Sequence, residues 1–440
     1  MSEEKRRADV IVVGAGIIGA ACADALARCG ARVIVLDRHS IGYGCSFGNA
    51  GWLTPCFALP LPVPGMLMKS IGWLLDPRGP LYIKPEADLN LIRWLGRFLL
   101  SMTNRLFQQS VRALVELSRR SMEMYRELDA ASPGCFSMKG GGLLIVAQTQ
   151  EGLTSAIHEK EAVASHGVPG EILDHDAVCQ LEPAIIGSNI AGGVYFPQEA
   201  HCEPLAAVQA LADRAKRNGT VFVENAEVYD FEYDNSKIDG LHTTAGFFRA
   251  DQYVLATGAW SGALGRKLGM YIPMRSGKGY SITVEHFENE PRIPLMLIEK
   301  KCAVTPRSVG LKLAGTLELV GLDDSLNTSR MRAILAGAAQ YIELPSKPVK
   351  LEVWRGLRPC TPDGVPIIGR PHPDSNMVIA AGHQMLGLQT APATGALVSD
   401  LIAKTVPQFD PAPFCATRFM GGRRKRSYEN SFHGKRAVVH

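Results

Sequence analysis

Three glycines at a fixed spacing, directly after a short apolar run, decide how this chain must begin. The stretch Asp9-Val-Ile-Val-Val-Gly14-Ala-Gly16-Ile17-Ile18-Gly19 predicts a buried parallel strand, a tight turn, and a helix over Ile17 to Cys29. Gly14 allows the turn, Gly16 lets backbone amides approach a pyrophosphate, and Gly19 lets the helix pack on the strand. The helix start, Ile17 and Ile18, offers free N–H groups and partial positive charge to the phosphates. A second apolar strand, Arg32 to Leu36, ends in Asp37, eighteen residues after Gly19. A carboxylate there accepts a hydrogen bond from an adenosine ribose and disfavours a 2′-phosphate. Strand, helix, strand and terminal acid together imply a cofactor containing ADP, with FAD and NAD both open at this point.

The body of the chain is close to neutral. Of 47 Lys/Arg and 43 Asp/Glu, the last twenty residues carry six of the basic and one of the acidic, which accounts for the formal charge of +4. Nothing in that balance suggests a nucleic-acid surface. A chain of 440 residues has room for two or three domains, and 46% hydrophobic with 20% charged residues is ordinary for a soluble globular protein. The ten cysteines are scattered, with no C-x-x-C and no metal-ligand spacing. No metal is expected, and the thiols read as reduced and structural. The start Met1-Ser-Glu-Glu-Lys-Arg-Arg has no signal-peptide core, and no apolar run is long enough to span a bilayer, so a cytoplasmic location is expected.

After Asp37 comes Arg38, then a loop with Gly42, Gly44, Gly48 and Gly51 that can lay backbone against a flat ligand; Ser46, Asn49 and Ala50 lie within it. The stretch Ala58 to Asp76 has prolines at 60, 62 and 64, then an almost wholly apolar run, Met66 to Leu75. It predicts either a lid or a docking segment for a membrane or partner subunit. Apolar residues at helical spacing run from Glu86 to Ala130, and a strand is expected at Leu143 to Ala147. Short strands near 221–257 lead into Ala256-Thr257-Gly258-Ala-Trp260-Ser261, a second place where backbone can approach a nucleotide. Residues 272–320 alternate strongly with turn signals, which predicts an antiparallel sheet. A helix from Asn327 to Tyr341, a strand from Met377 to Ala381 and a helix ending near Ala403 complete the pattern.

Four signatures in order carry a family resemblance: GAGIIG with Asp37, ATGAWS at 256–261, WRGLRPCTPDGVPIIG at 354–369, and GHQMLGLQTAPATG at 382–395. The chain resembles the D-amino-acid oxidase and dehydrogenase superfamily of FAD-dependent amine oxidoreductases over almost everything from Asp9 to Phe419. SFGNAG at 46–51 and KGYSIT at 278–283 look most like the bacterial D-amino-acid dehydrogenase small subunit and D-hydroxyproline dehydrogenases. The resemblance implies FAD rather than NAD and an α/β fold. A Rossmann-type FAD-binding domain (1–84, 182–268, 350–418) would interleave with an α+β substrate domain (85–181, 269–349) whose sheet is mainly antiparallel. The segment 419–440 is a basic tail outside the resemblance.

The resemblance further implies oxidative deamination of a D-amino acid, D-proline and cis-4-hydroxy-D-proline among the candidates, by hydride transfer from Cα to flavin N5, giving an imine. Electrons would pass to an acceptor other than oxygen, such as a quinone or a relay protein. Arg358 matches the carboxylate-binding arginine, whose planar fork suits a carboxylate. Arg355, earlier in that strand, should point to the other face. His383 and Tyr280 are the further catalytic candidates, and Gly387 is expected beside the flavin. Relatives place a pocket tyrosine near 297–307, where this chain has only Lys300 and Lys301. A glycine or sarcosine oxidase, a cofactor-free binding protein and a subunit active only in a complex are the alternative readings.

Overall fold

A computed structural model describes residues 6–65, 81–83, 88–234, 237–346 and 351–419. Two large sheets dominate, and the chain crosses between them several times. The first is built on parallel pairings: Arg7–Val13 lies between Val33–Leu36 and Gly246–Leu255, and Met377–Ala381 extends it. These strands are buried runs of Val, Ile and Leu, as expected where both faces are covered. An antiparallel pair, Val228–Asp234 with Lys237–Thr243, closes one edge.

The helices Ile17–Arg28, Pro204–Arg217 and Gly387–Ala403 pack on one side of this sheet with the long helix Asn104–Ala131. Contact is closest where glycine replaces a side chain. A Cβ on Gly395 of the last helix would overlap the Ala21 carbonyl oxygen of the first.

The second sheet holds nine of the described strands, mainly antiparallel. Arg275–Val284 sits between Gly310–Val320 and Leu351–Cys360, and its two faces differ. One packs on the helix Thr328–Ala338 through Tyr280, Ile282, Leu311, Leu313 and Ile334. The other meets the nucleotide-binding half: the Trp52 indole N–H donates to the Thr305 hydroxyl at 2.8 Å.

Two expected boundaries move. Gly192–Phe196 falls inside the 182–268 segment assigned to the FAD domain, yet it pairs with Leu143–Ala147 of the second sheet. Leu351–Cys360, assigned to the 350–418 segment, pairs along its whole length with Arg275–Val284. Both pair with strands distant in sequence, so composition could not place them. The expected helix over 86–130 is two, Leu89–Ser101 and Asn104–Ala131. The break is set at Thr103, whose hydroxyl caps the second helix at the Leu106 N–H. Of the Ala58 to Asp76 stretch, 58–65 is described and largely turned inward, with Ala58, Pro60 and Pro62 buried. The apolar run from Met66 lies outside the described residues.

Candidate active site

The glycine turn has the geometry its spacing predicts. Gly14 has φ +106°, and a Cβ there would stand 2.5 Å from the Ala256 carbonyl oxygen, so the turn fits against the Ala256-Thr257-Gly258 segment. A Cβ on Gly19 would overlap the Gly14 carbonyl oxygen, which is what close packing of helix on strand requires. Gly16 differs, because a Cβ there would meet only the Ser46 hydroxyl, at 3.5 Å. Its missing side chain leaves space for a ligand rather than for protein. The Ser46 hydroxyl accepts the Ile17 N–H at 3.0 Å, and no acid occupies the first turn of this helix. Gly387 opens the last helix, and a Cβ on it would lie 3.9 Å from Ile17 Cγ2. Two helix N-termini therefore converge with no acidic residue in either first turn.

Asp37 lies where the adenosine ribose is expected. Its carboxylate accepts the Ala15 N–H at 2.6 Å and the His39 N–H at 2.8 Å, which fixes its orientation. Arg38 stacks on Trp260, 4.0 Å from the ring centre, and Thr257 bonds Ser261 at 3.0 Å. Asn49 accepts the Gly51 N–H at 2.8 Å and reaches the Met385 carbonyl at 3.4 Å, tying this loop to the start of the last helix. Ala50 packs on the cluster formed by Trp52, Cys56 and Leu386. Gly48 and Gly51 are required by close approach: Trp354 covers the first, and the Cys202 carbonyl abuts the second.

The second sheet presents a glycine-floored face to this region. Cross-strand pairing puts Arg358 opposite Gly277 and Gly356 opposite Gly279, so Trp354, Gly356 and Arg358 share a face with Gly277, Gly279 and Ser281. The Arg358 guanidinium lies where a Cβ on Gly279 would be, and the Trp354 ring covers Gly356. Arg358 donates to the Thr316 carbonyl at 2.8 Å. Burial pulls its pKa below the usual arginine range, against the opposing pull of the Cys45 and Cys360 thiols. Arg355 points to the other face, as expected, and pairs with Asp324 at 2.8 Å.

Tyr280 does not belong with Arg358. It alternates with Gly279 and so points to the opposite face, where its hydroxyl donates to Glu318 at 2.8 Å. Burial, with that bond, raises its pKa. Glu318 also pairs with Arg330 and lies 3.6 Å from the buried Lys278, so Tyr280 supports the sheet from behind. His383 is buried, its Nε2 3.1 Å from the Thr394 hydroxyl. Burial pushes its pKa down to about 3, so it is neutral at neutral pH. Lys300 packs against Gly337 of the helix behind the sheet, and Lys301 lies 3.7 Å from Glu159; neither joins Arg358.

Other buried groups, beside the Arg358 strand or on its face, went unrecognised in the sequence. Gln384 follows His383 with φ +50° and is buried, and its two amide atoms have no partner among the described residues. Such an amide fits a ligand with both donors and acceptors along its edge, as a flavin ring has. Lys312 and Ser281 are buried on the same face, also without side-chain partners among the described residues, and burial brings Lys312 down to about 7. Glycines inside strands, at 277, 279 and 356, were the available signal of close approach.

A family model for FAD dependent oxidoreductases, DAO, matches residues 9–401. The chain belongs to the DAO family. A D-amino acid dehydrogenase of Cereibacter sphaeroides is 30% identical over 94% of this chain and 96% of its own. Glycine oxidase from Geobacillus kaustophilus superposes with TM-score 0.75 at 25% identity, over 94% of this chain and all of the other. L-proline dehydrogenase from P. horikoshii gives TM-score 0.75 at 22% identity, over 94% and 98%. The DAO-family chain is thus an FAD-dependent oxidoreductase, and its open Gly16, paired helix starts and orphaned Gln384 amide fit that cofactor.

Asp37→Ala is expected to weaken FAD binding by at least about tenfold, since the hydrogen bond expected to the ribose is lost together with those the carboxylate accepts from the Ala15 and His39 N–H groups. The parent protein is expected to purify yellow, with the FAD released by acid precipitation. Equal FAD affinity in the variant, measured by fluorescence titration of apoprotein, would remove Asp37 from the site.

Proposed function

We propose that this flavoprotein oxidises the amine of a D-amino acid and delivers the electrons to an acceptor other than oxygen. The observation that carries the reading is Arg358, a half-buried guanidinium laid over Gly279 on the face that meets the nucleotide-binding half. Its planar fork suits a carboxylate, and similarity to the Cereibacter enzyme supports a D-amino acid. Trp354 gives an apolar wall beside it, suited to a compact ring such as that of D-proline or cis-4-hydroxy-D-proline. The Cα–H bond breaks with its electron pair, the nitrogen lone pair closes the C=N bond, and water then hydrolyses the imine. Bound FAD supplies the acceptor for that hydride. The chain itself fixes the carboxylate and keeps a neutral His383 behind the site.

The acceptor side has its own observation. The helix Leu89–Ser101 buries Trp94, whose indole N–H donates to the Cys360 carbonyl at 3.1 Å, two residues beyond Arg358. Its other face exposes Leu89, Ile92, Leu99 and Leu100, and Leu106 at the start of the next helix is exposed as well. Arg93, Arg105 and Arg112 are exposed alongside, and no acidic residue occurs from 89 to 115. An apolar stripe rimmed by arginine suits an anionic lipid surface, where a quinone would be supplied. Docking, one of the two readings of 58–76 beside a lid, is here proposed for this helix.

A redox dye should be reduced by substrate far faster than peroxide forms in air; equal rates would assign the chain to the oxidases. Full-length protein should co-sediment with phosphatidylglycerol vesicles at low salt, and Leu99→Glu with Leu100→Glu should weaken this about tenfold while dye-linked activity is kept. Unchanged vesicle binding in the double variant, or a patch that instead pairs two copies on a sizing column, would contradict the lipid assignment.

A further inference from the structure

With no tyrosine near 297–307 and both lysines turned elsewhere, a second group beside Arg358 has to be sought in the strand that anchors it. Gly310–Val320 is irregular at one place. Its pairing with Arg275–Val284 shifts register between Lys278 and Tyr280, so Thr316 and Leu317 both stand against Gly279. The neighbour on the other edge changes at the same point. Cys302 is the partner of Gly315, and Leu81 is the partner of Leu317. Thr316 falls in that gap with φ +63°, a left-handed conformation that a β-branched residue adopts only under constraint.

The irregularity has a consequence for side-chain direction. Counting alternately from Ala314, Thr316 lies on the Arg358 face, and the extra residue restores Glu318 to the opposite one. Thr316 then offers two groups at one spot. Its carbonyl accepts from Arg358, while its hydroxyl is buried with no partner among the described residues. Strain and an unpaired buried hydroxyl both disfavour the free protein, and a ligand that accepts the hydroxyl proton relieves the second. Gly279, opposite, leaves the space that the Arg358 guanidinium fills, which brings that fork to the bulge at Thr316.

We propose that Thr316 is a second substrate-binding residue, its hydroxyl donating to the carboxylate that Arg358 holds. This rests on the reading of an amino-acid carboxylate at Arg358. The bulge is the device that brings both donors to one anion: the Thr316 carbonyl sets the guanidinium, and the same residue's hydroxyl completes the clamp.

The test compares Thr316→Val, Thr316→Ser and Thr316→Ala in the FAD-loaded protein. Steady-state kinetics with D-proline would be measured in each, together with calorimetric binding of propionate, a carboxylate with no amine. Thr316→Val and Thr316→Ala should each raise KM and weaken propionate about tenfold, with kcat within about threefold of the parent, and Thr316→Ser should restore both values. Parent-like KM and propionate affinity in the valine and alanine variants would overturn the proposal. So would a serine variant as impaired as the valine one, or a loss of FAD and kcat with propionate binding unchanged. If the parent binds no propionate and oxidises no amino acid, the fault lies with the amino-acid reading itself.

Discussion

Replacing Arg358 with leucine is expected to lower kcat/KM for an amino acid by more than about 100-fold, on the order of 3 kcal/mol or more, while the protein stays yellow. The loss is large because a charged, forked donor would disappear from a confined site and leave the substrate carboxylate unpaired. FAD should stay because the residues expected to cradle it, from Gly14 to Gly19 with Asp37, belong to the other sheet and its first helix. Arg358→Lys should rescue little. An ammonium cannot donate to the Thr316 carbonyl and also present two parallel N–H groups to a carboxylate. Near-normal kinetics in the leucine variant would mean that another residue holds the substrate.

Gly19→Ala should cost both the cofactor and much of the stability of the first sheet. Alanine favours a helix over glycine by about 1 kcal/mol, so propensity alone predicts a gain. The new methyl would overlap the Gly14 carbonyl oxygen, which is backbone and cannot swing aside. Overpacking of that kind typically costs about 1–3 kcal/mol and here should also open the turn expected to hold the pyrophosphate. The clash should win. The expected result is a colourless protein with a lowered Tm, read by absorbance and calorimetry. A yellow, equally stable variant would show that helix and strand can separate without loss.

What the sequence made legible was whatever local backbone chemistry decides. Gly14, Gly16 and Gly19 announce a turn, an opening and a close contact because each needs only its neighbours to be understood. Arg358 came instead from the family resemblance of the Gly-Leu-Arg-Pro run, and strand pairing then set it over Gly279. What stayed hidden depends on pairing between strands far apart in sequence. Tyr280 looks like a pocket hydroxyl in the sequence because its direction follows only from Gly277 pairing with Arg358, and a one-residue slip would reverse it. Thr316 was invisible for the same reason, since its bulge exists only where three strands meet. Gln384 gave no signal, because a left-handed glutamine looks like any other in a loop.

The most direct test of the central claim is anaerobic. D-Proline, cis-4-hydroxy-D-proline, D-alanine, glycine and sarcosine would each be added to the yellow protein without oxygen while the flavin absorbance near 450 nm is followed. The account predicts rapid bleaching by at least one D-amino acid, slower or no bleaching by glycine and sarcosine, and recovery of the colour when a dye is added. Bleaching by glycine or sarcosine alone, or by none of the five, would contradict it.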